Sequence, residues 1–201
     1  MPKSSNIAAL WQRVDEWLRE NGDSERQLPT GASAEEIEEA ENVLGTVLPK
    51  DVRESYRVHN GSNGIWLFPQ GYLMPLTKSS HLPKRQQARI RAVTDESRAM
   101  KEIAERGGFD DPSFKSTPKG PIRRDWWNPK WIRITNNECG DCACIDLVPQ
   151  KDGKRGQIID WDHDIGATRV LADSFREWLA TLVAELDQGA CKFEGREIKR
   201  K

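Results

Sequence analysis

The sequence predicts an α+β fold in which helices pack on a mainly antiparallel sheet. Three observations predict it. Apolar residues recur at helical spacing up to residue 60, short β-like runs lie between 65 and 161, and an amphipathic helix follows near 173–186. Helices, then strands, then a helix is not the alternation that parallel βαβ units write into a chain.

The first helix is carried by Ile7, Leu10, Trp11, Val14, Trp17 and Leu18, one face of a helical wheel, and Asn21-Gly22 ends it. Ser33 and Glu36 make a capping box for a second helix, buried through Ile37, Ala40, Val43 and Leu44 and stopped at Gly45. Pro49 suits the first turn of a third helix with Val52 and Tyr56 inward, closing at His59-Asn60-Gly61. The period then changes. Residues 65–68 and 72–74 are short apolar runs split by Pro69-Gln70-Gly71, a hairpin or edge pair. Residues 84–106 are helical in propensity but 11 of 23 are charged, which predicts a largely exposed helix. Residues 107–130 read as a loop that carries Trp126 and Trp127. Three β-like runs follow at 131–135, 142–147 and 157–161. Asp173 is the expected N-cap of the last helix, whose buried face is Phe175, Trp178, Leu179, Leu182, Val183 and Leu186; from Lys192 the tail is charged and expected to fray.

Net charge is −1, so nothing global draws the chain to nucleic acid or an anionic membrane. That balance hides segregation: 14 basic against 7 acidic residues over 78–133, and 7 acidic against 2 basic over 160–187. No export signal precedes the first helix and no run nears the roughly 20 apolar residues of a membrane span. Four cysteines, three of them crowded at 139, 142 and 144, do not resemble a secreted disulfide framework, so a reducing cytoplasm is the expectation.

Catalytic motifs are scarce. Cys139, Cys142 and Cys144 give C-x2-C-x-C, but zinc wants a second pair, and alternation about Ala143 suits a core strand. Asp160-Trp161-Asp162-His163-Asp164 places alternating carboxylates on one strand face. An EF-hand loop would need Gly and Glu where Ile165 and Leu171 stand. The cluster therefore reads as a strand end turning into a loop, with its acids in water, and its composition beside a Trp also suits a contact for a basic partner. Trp126, Trp127 and Trp131 near Arg123, Arg124 and Lys130 could stack on bases, but a buried aromatic cluster is the simpler reading.

Three blocks in order resemble the SMI1/KNR4 (SUKH) family. The first is Ile37, Glu41, Leu44-Gly45, Leu48-Pro49, Val52, Tyr56 and Asn60-Gly61. The second runs from Trp131-Ile132-Arg133-Ile134 through Gly140-Asp141 to Cys144-Ile145-Asp146-Leu147-Val148-Pro149. The third is Gly156-Gln157-Ile158-Ile159, Trp161, His163-Asp164, Leu171-Ala172, Ser174-Phe175 and Trp178-Leu179. Arg133 departs from the pattern, where the family often has Pro. The resemblance implies a SUKH-like α+β fold with no known active site, toxin immunity in bacteria, and cell-wall synthesis regulation in fungi. It divides the chain into an N-terminal helix and linker (1–30), a family domain (31–188) with a charged insertion at about 78–130, and a charged tail (189–201).

The expectation is thus a cytoplasmic, non-enzymatic binding domain without metal or cofactor. Its first-choice partner is a cognate protein toxin, such as a basic nuclease or deaminase, met by Asp141, Asp160, Trp161, Asp162, His163 and Asp164. The alternatives are a regulatory scaffold docking through the basic helix at 84–106, or a metal-dependent hydrolase built on the 160–164 cluster with His163 as base.

Overall fold

A computed structural model describes residues 6–22, 27–78, 90–109 and 115–201. Five helices are present among them: α1 (Ile7–Asn21), α2 (Ala34–Leu44), α3 (Lys50–Val58), α4 (Val93–Glu105) and α5 (Phe175–Asp187). The strands are β1 (Trp66–Phe68), β2 (Gly71–Leu73), β3 (Trp131–Arg133), β4 (Thr135–Asn136), β5 (Cys142–Asp146), β6 (Gln157–Asp162), β7 (Gly166–Ala172), β8 (Cys191–Glu194) and β9 (Glu197–Arg200). They form two sheets, ordered β4-β2-β1-β9-β8 and β3-β5-β6-β7. Every pairing is antiparallel except the single contact of β1 with β9. The α+β expectation holds.

The helix boundaries follow local chemistry. Ser33 and Glu36 form the reciprocal capping box, and Gly45 ends α2 at φ +65°, a left-handed position that glycine adopts without Cβ strain. Pro49 stands one position outside α3, as its N-cap. Ser174 rather than Asp173 caps α5, its hydroxyl accepting from the Glu177 N–H. Asp173 instead pairs with Lys154.

The main core gathers α1, α3, α5 and the inner faces of both sheets. Trp11, Tyr56, Phe175 and Ile145 are fully buried there, and Phe68 stacks on Trp178 with ring centroids 3.6 Å apart. Two internal tails use otherwise orphaned donors: Trp11 Nε1 donates to Ser55 Oγ at 3.0 Å, and Tyr56 Oη to the Met74 carbonyl at 3.0 Å. A second cluster lies on the opposite face of the four-stranded sheet, where Trp127, Trp131, Trp161, Cys142, Cys144 and Ile159 meet. β5 is therefore buried on both faces, with Ala143 and Ile145 toward one core and the two cysteines toward the other.

Three readings of the sequence are corrected. The run at 131–135 is not one strand. At Ile134 the backbone changes sheets, its N–H donating to Ala143 while its carbonyl accepts from Met74, so one residue stitches the two sheets together. The stretch after Asp164 is not a loop but β7, at seven residues the longest strand. The tail is not frayed: β8 and β9 form a hairpin turned at Gly195, docked on β1 by the Trp66 N–H to Arg196 carbonyl bond, with Cys191 and Ile198 in the core. The residues from 93 to 105 do form a helix, which carries four carboxylates against two basic residues; residues 84–89 of the expected basic helix lie outside the described residues.

Candidate functional site

The acidic cluster of the sequence resolves into a corner at one end of the four-stranded sheet. The register that pairs Cys142 with Trp161 brings Asp141, the residue before β5, close to Asp162 at the end of β6. Like charges facing across two strands repel, so their partners matter. Asp162 turns its carboxylate back on its own chain, accepting from the Asp164 and Ile165 N–H groups at 2.8 and 3.2 Å. This caps the β6–β7 turn in the manner of an Asx turn. Gly166 closes it at φ +78°, where a Cβ would sit 2.9 Å from the Trp126 carbonyl.

His163 is held to Asp141 twice, by its backbone N–H at 3.1 Å and by Nδ1 at 2.8 Å to the same oxygen. Asn137 donates to the other Asp141 oxygen at 3.0 Å. The Asp141 hydrogen bond raises the imidazole pKa, helped by the charges of Asp164, Asp141 and Asp162. For Asp141, partial burial pushes the carboxyl up, but the two bonds from His163 outweigh it and the net shift is downward. His163 Nε2 faces Asp164 at 3.4 Å, so the atom that would activate a nucleophile already has a carboxylate beside it.

The corner differs from the six residues expected at it. Trp161 points away from the corner's surface: it is 4% exposed, faces the second core, and donates Nε1 to the Trp126 carbonyl at 2.6 Å. Period-two alternation puts it on the face opposite Asp160 and Asp162. Asp160 is half-buried between Gln70 Nε2 and Arg169 Nε, each 3.3 Å away, and ties the β1–β2 turn to β7; burial, with the nearby Asp141 charge, raises its pKa despite Arg169. Asp141, Asp162, His163 and Asp164 remain together at the surface. Ile165 joins them, 60% exposed at the tip of the turn between carboxylates. Helical or strand periodicity gives no signal for a turn residue; its only sequence mark is an aliphatic side chain directly after three consecutive polar ones.

Asp141, Asp162 and His163 can each offer one ligand atom within 4.8 Å of the others. A cation there would have to displace the His163–Asp141 bond, and a closed zinc site would need a fourth protein ligand. The C-x2-C-x-C motif is divided: Cys139 is exposed, whereas Cys142 and Cys144 are buried with their sulfurs 3.5 Å apart. Burial, and the neighbouring Cys142, push the Cys144 thiol up, away from thiolate chemistry. His59 is a tie between helices, contacting the Pro29 carbonyl at 2.7 Å and Asp15 at 3.1 Å. His81 lies outside the described residues. Trp127 and Trp131 are buried and cannot serve as a stacking platform.

Arg133, the departure from the family pattern, turns out to position this corner. It is only 7% exposed. Its Nη2 donates to the Gly140 carbonyl at 2.9 Å and the Asp141 carbonyl at 3.4 Å, and Nη1 lies 3.5 Å from Glu96 on α4. One side chain thus fixes the backbone that presents Asp141.

Among similar proteins, a KNR4/SMI1 homolog of Yarrowia lipolytica is 26% identical over 94% of this chain and 31% of its own length. The cell wall biosynthesis/cell cycle regulator smi1 of Schizosaccharomyces pombe is 28% identical, over 91% of this chain and 36% of its own. The cell wall assembly regulator SMI1 of Saccharomyces cerevisiae is 25% identical, over 92% and 41%. The chain thus spans about a third to two fifths of the length of these relatives. The profile of the SMI1/KNR4 family (SUKH-1) matches residues 31–181, taking in all three sequence blocks and both sheets except the terminal hairpin, and the chain belongs to that family.

Proposed function

We propose that the chain is a non-catalytic protein-binding domain with a regulatory role of the SMI1/KNR4 type, using the β6–β7 corner as its contact surface. The observation that carries the surface is Ile165. An aliphatic side chain 60% exposed on a turn capped by Asp162, next to Asp164 in sequence and on the same corner as Asp141, has the make-up of an anchor with a charged rim. Its partner is a polypeptide with a small apolar recess bordered by Lys or Arg. The names of the fungal relatives, which describe cell-wall and glucan-synthesis regulation, support the regulatory role over toxin immunity, the first expectation. Catalysis finds little support in the corner, where His163 Nε2 is directed at Asp164.

The test is affinity capture with wild-type protein and the Asp162→Lys/Ile165→Glu variant, each shown to be folded. Partners present on wild type and depleted on the variant are expected, and identical partner sets would refute the surface. An immunity role rests on the same acidic corner offered to a basic toxin. A single tight partner encoded beside this gene and toxic when expressed alone would select that reading; several non-toxic partners would select regulation.

A further inference from the structure

A second charged face lies on the four-stranded sheet, and no ion pair among the described residues joins its cations to the acids of the corner just described. Residues 115–130 form a strap across the sheet face that holds the second core. The strap is pinned at several points. Ser116 N–H donates to the Arg124 carbonyl at 2.9 Å, with Lys115 bridged antiparallel to Asp125, so the segment doubles back on itself. Lys119 N–H donates to the Thr168 carbonyl at 2.7 Å beside Arg169, adding one parallel rung to β7. The Pro121 carbonyl accepts from Gln150 N–H at 3.0 Å and Gln157 Nε2 at 3.2 Å, locking the strap to the β5–β6 turn. Beneath it Ser116, Ile122 and Trp127 are buried.

What this fixed scaffold presents is basic. Lys115, Lys119, Arg123, Arg124, Lys130 and Lys151 are all exposed on it. Arg123 pairs with Asp125 at 2.9 Å, while the other five have no ion pair among the described residues. Elsewhere most cations are matched, as Arg13 is to Asp187, Arg169 to Asp160, Lys154 to Asp173 and Arg200 to Glu185. The carboxylates of the strap and turn are Asp125, half-buried and already paired, and the exposed Asp152. In a chain whose net charge is −1, such a local excess is not needed for solubility.

We infer that this strap and the β5–β6 turn form a docking face for an acidic polypeptide segment, one carrying several Asp or Glu side chains in succession. The chemistry on the page favours a polypeptide over the other polyanions. Single-stranded nucleic acid binds through exposed aromatics that stack on its bases, and here Trp127 is buried while Trp126 is packed between Phe109 and Trp161. Membrane docking by a basic face adds apolar side chains that insert, and the exposed large apolar residues among those described, Val43, Val47, Ile103 and Ile165, are all off the strap. Cations held on a pinned backbone lose less freedom on binding than cations on a loose loop, which makes separate carboxylates along an extended chain a fitting ligand. This face stands independently of the corner at Ile165 and does not require it.

The test uses the full chain and a fluorescein-labelled oligoglutamate of about ten residues, read by anisotropy at about 20 and about 150 mM salt. The strap variant is Lys119→Glu/Arg124→Glu/Lys151→Glu. The control, Arg19→Glu/Arg57→Glu/Arg106→Glu, makes the same charge change at exposed cations elsewhere. A milder Lys119→Gln/Arg124→Gln/Lys151→Gln variant keeps the test valid if charge reversal impairs folding. We expect oligoglutamate affinity to fall about tenfold or more in the strap variant, by less than about twofold in the control, and to weaken with salt. Equal losses in the two variants, no binding by wild type at low salt, or tighter strap-dependent binding of oligo-dT or phosphatidylserine vesicles would overturn the inference.

Discussion

Arg133→Met should destabilise the fold and loosen the candidate site together. The substitution keeps the length and apolar stem of the side chain but removes every donor. The hydrogen bond from the guanidinium to the Gly140 carbonyl at 2.9 Å is charge-assisted, worth about 1.5–3 kcal/mol. The contacts to Thr135 and Asp141 carbonyls, both 3.4 Å, add less. Glu96 loses one cation but keeps Arg91 at 3.3 Å, so the cost of a stranded charge stays well under the 3–5 kcal/mol typical of a fully buried pair. The sum is about 3 kcal/mol, or about 6–12 °C in Tm for a domain of this size. Urea unfolding followed by Trp fluorescence reports it, with Trp131 two residues away on the same strand. Glu96→Gln alone should cost about 1 kcal/mol, and the double variant should cost less than the two singles added, because the residues share one interaction. A loss below about 0.5 kcal/mol for Arg133→Met, or strict additivity, would refute the role given to this side chain.

Other outcomes follow from the same contacts. Asp141→Asn should return the His163 imidazole toward its ordinary pKa, seen by NMR titration of its ring proton; an unchanged value would mean that the 2.8 Å bond is not the cause. The raised His163 pKa makes its stabilising contribution complete below the ordinary imidazole value and lost as pH rises through the raised one. The lowered Asp141 pKa makes its contribution present above the ordinary carboxyl value and lost as pH falls through the lowered one, so the contact is fully formed only between these limits. Ser55→Ala should cost about 1–3 kcal/mol in urea unfolding by stranding the buried Trp11 N–H. Gly71→Ala should prevent folding, since its Cβ would lie 2.1 Å from the Asn136 carbonyl at φ +103°, whereas Gly45→Ala, with open space around it, should cost only about 1 kcal/mol. Truncation after Gly189 should lower Tm by removing Cys191 and Ile198 from the core; an unchanged Tm would restore the frayed-tail expectation.

The helices were legible because their signals are local. Ser33 with Glu36, Gly45 as a stop, and the stripe Phe175–Trp178–Leu182 depend on neighbours three or four residues away. In the strands that sequence pattern does not reveal, charge obscures the signal. In β8 and β9 the charged residues Lys192, Glu194, Lys199 and Arg200 give the tail a solvated composition, although Phe193 and Ile198 pair across the hairpin and Gly195 marks its turn. β7 hid behind an acidic turn, with Thr168 and Val170 as its only β-branched residues. The change of sheet at Ile134 is a tertiary event, since nothing near it distinguishes a strand that continues from one that crosses over.

At the candidate site the acidic positions were legible and their division of labour was not. Asp160, Asp162 and Asp164 look alike in sequence, yet one is a half-buried link between sheets, one caps a turn and one is open to solvent. Trp161 drew attention by composition, and alternation alone would have assigned it to the opposite face. Arg133 stood out as a departure from the family pattern, and its partners across Gly140 and Glu96 come only from the folded chain.

The central claim is that the corner around Ile165 contacts a polypeptide partner. Its most direct measurement is the affinity of a purified captured partner for wild type, Ile165→Glu and Asp162→Lys at two salt concentrations. Both variants should bind at least about tenfold more weakly, and Asp162→Lys should also flatten the salt dependence. Wild-type affinity in both folded variants would contradict the account.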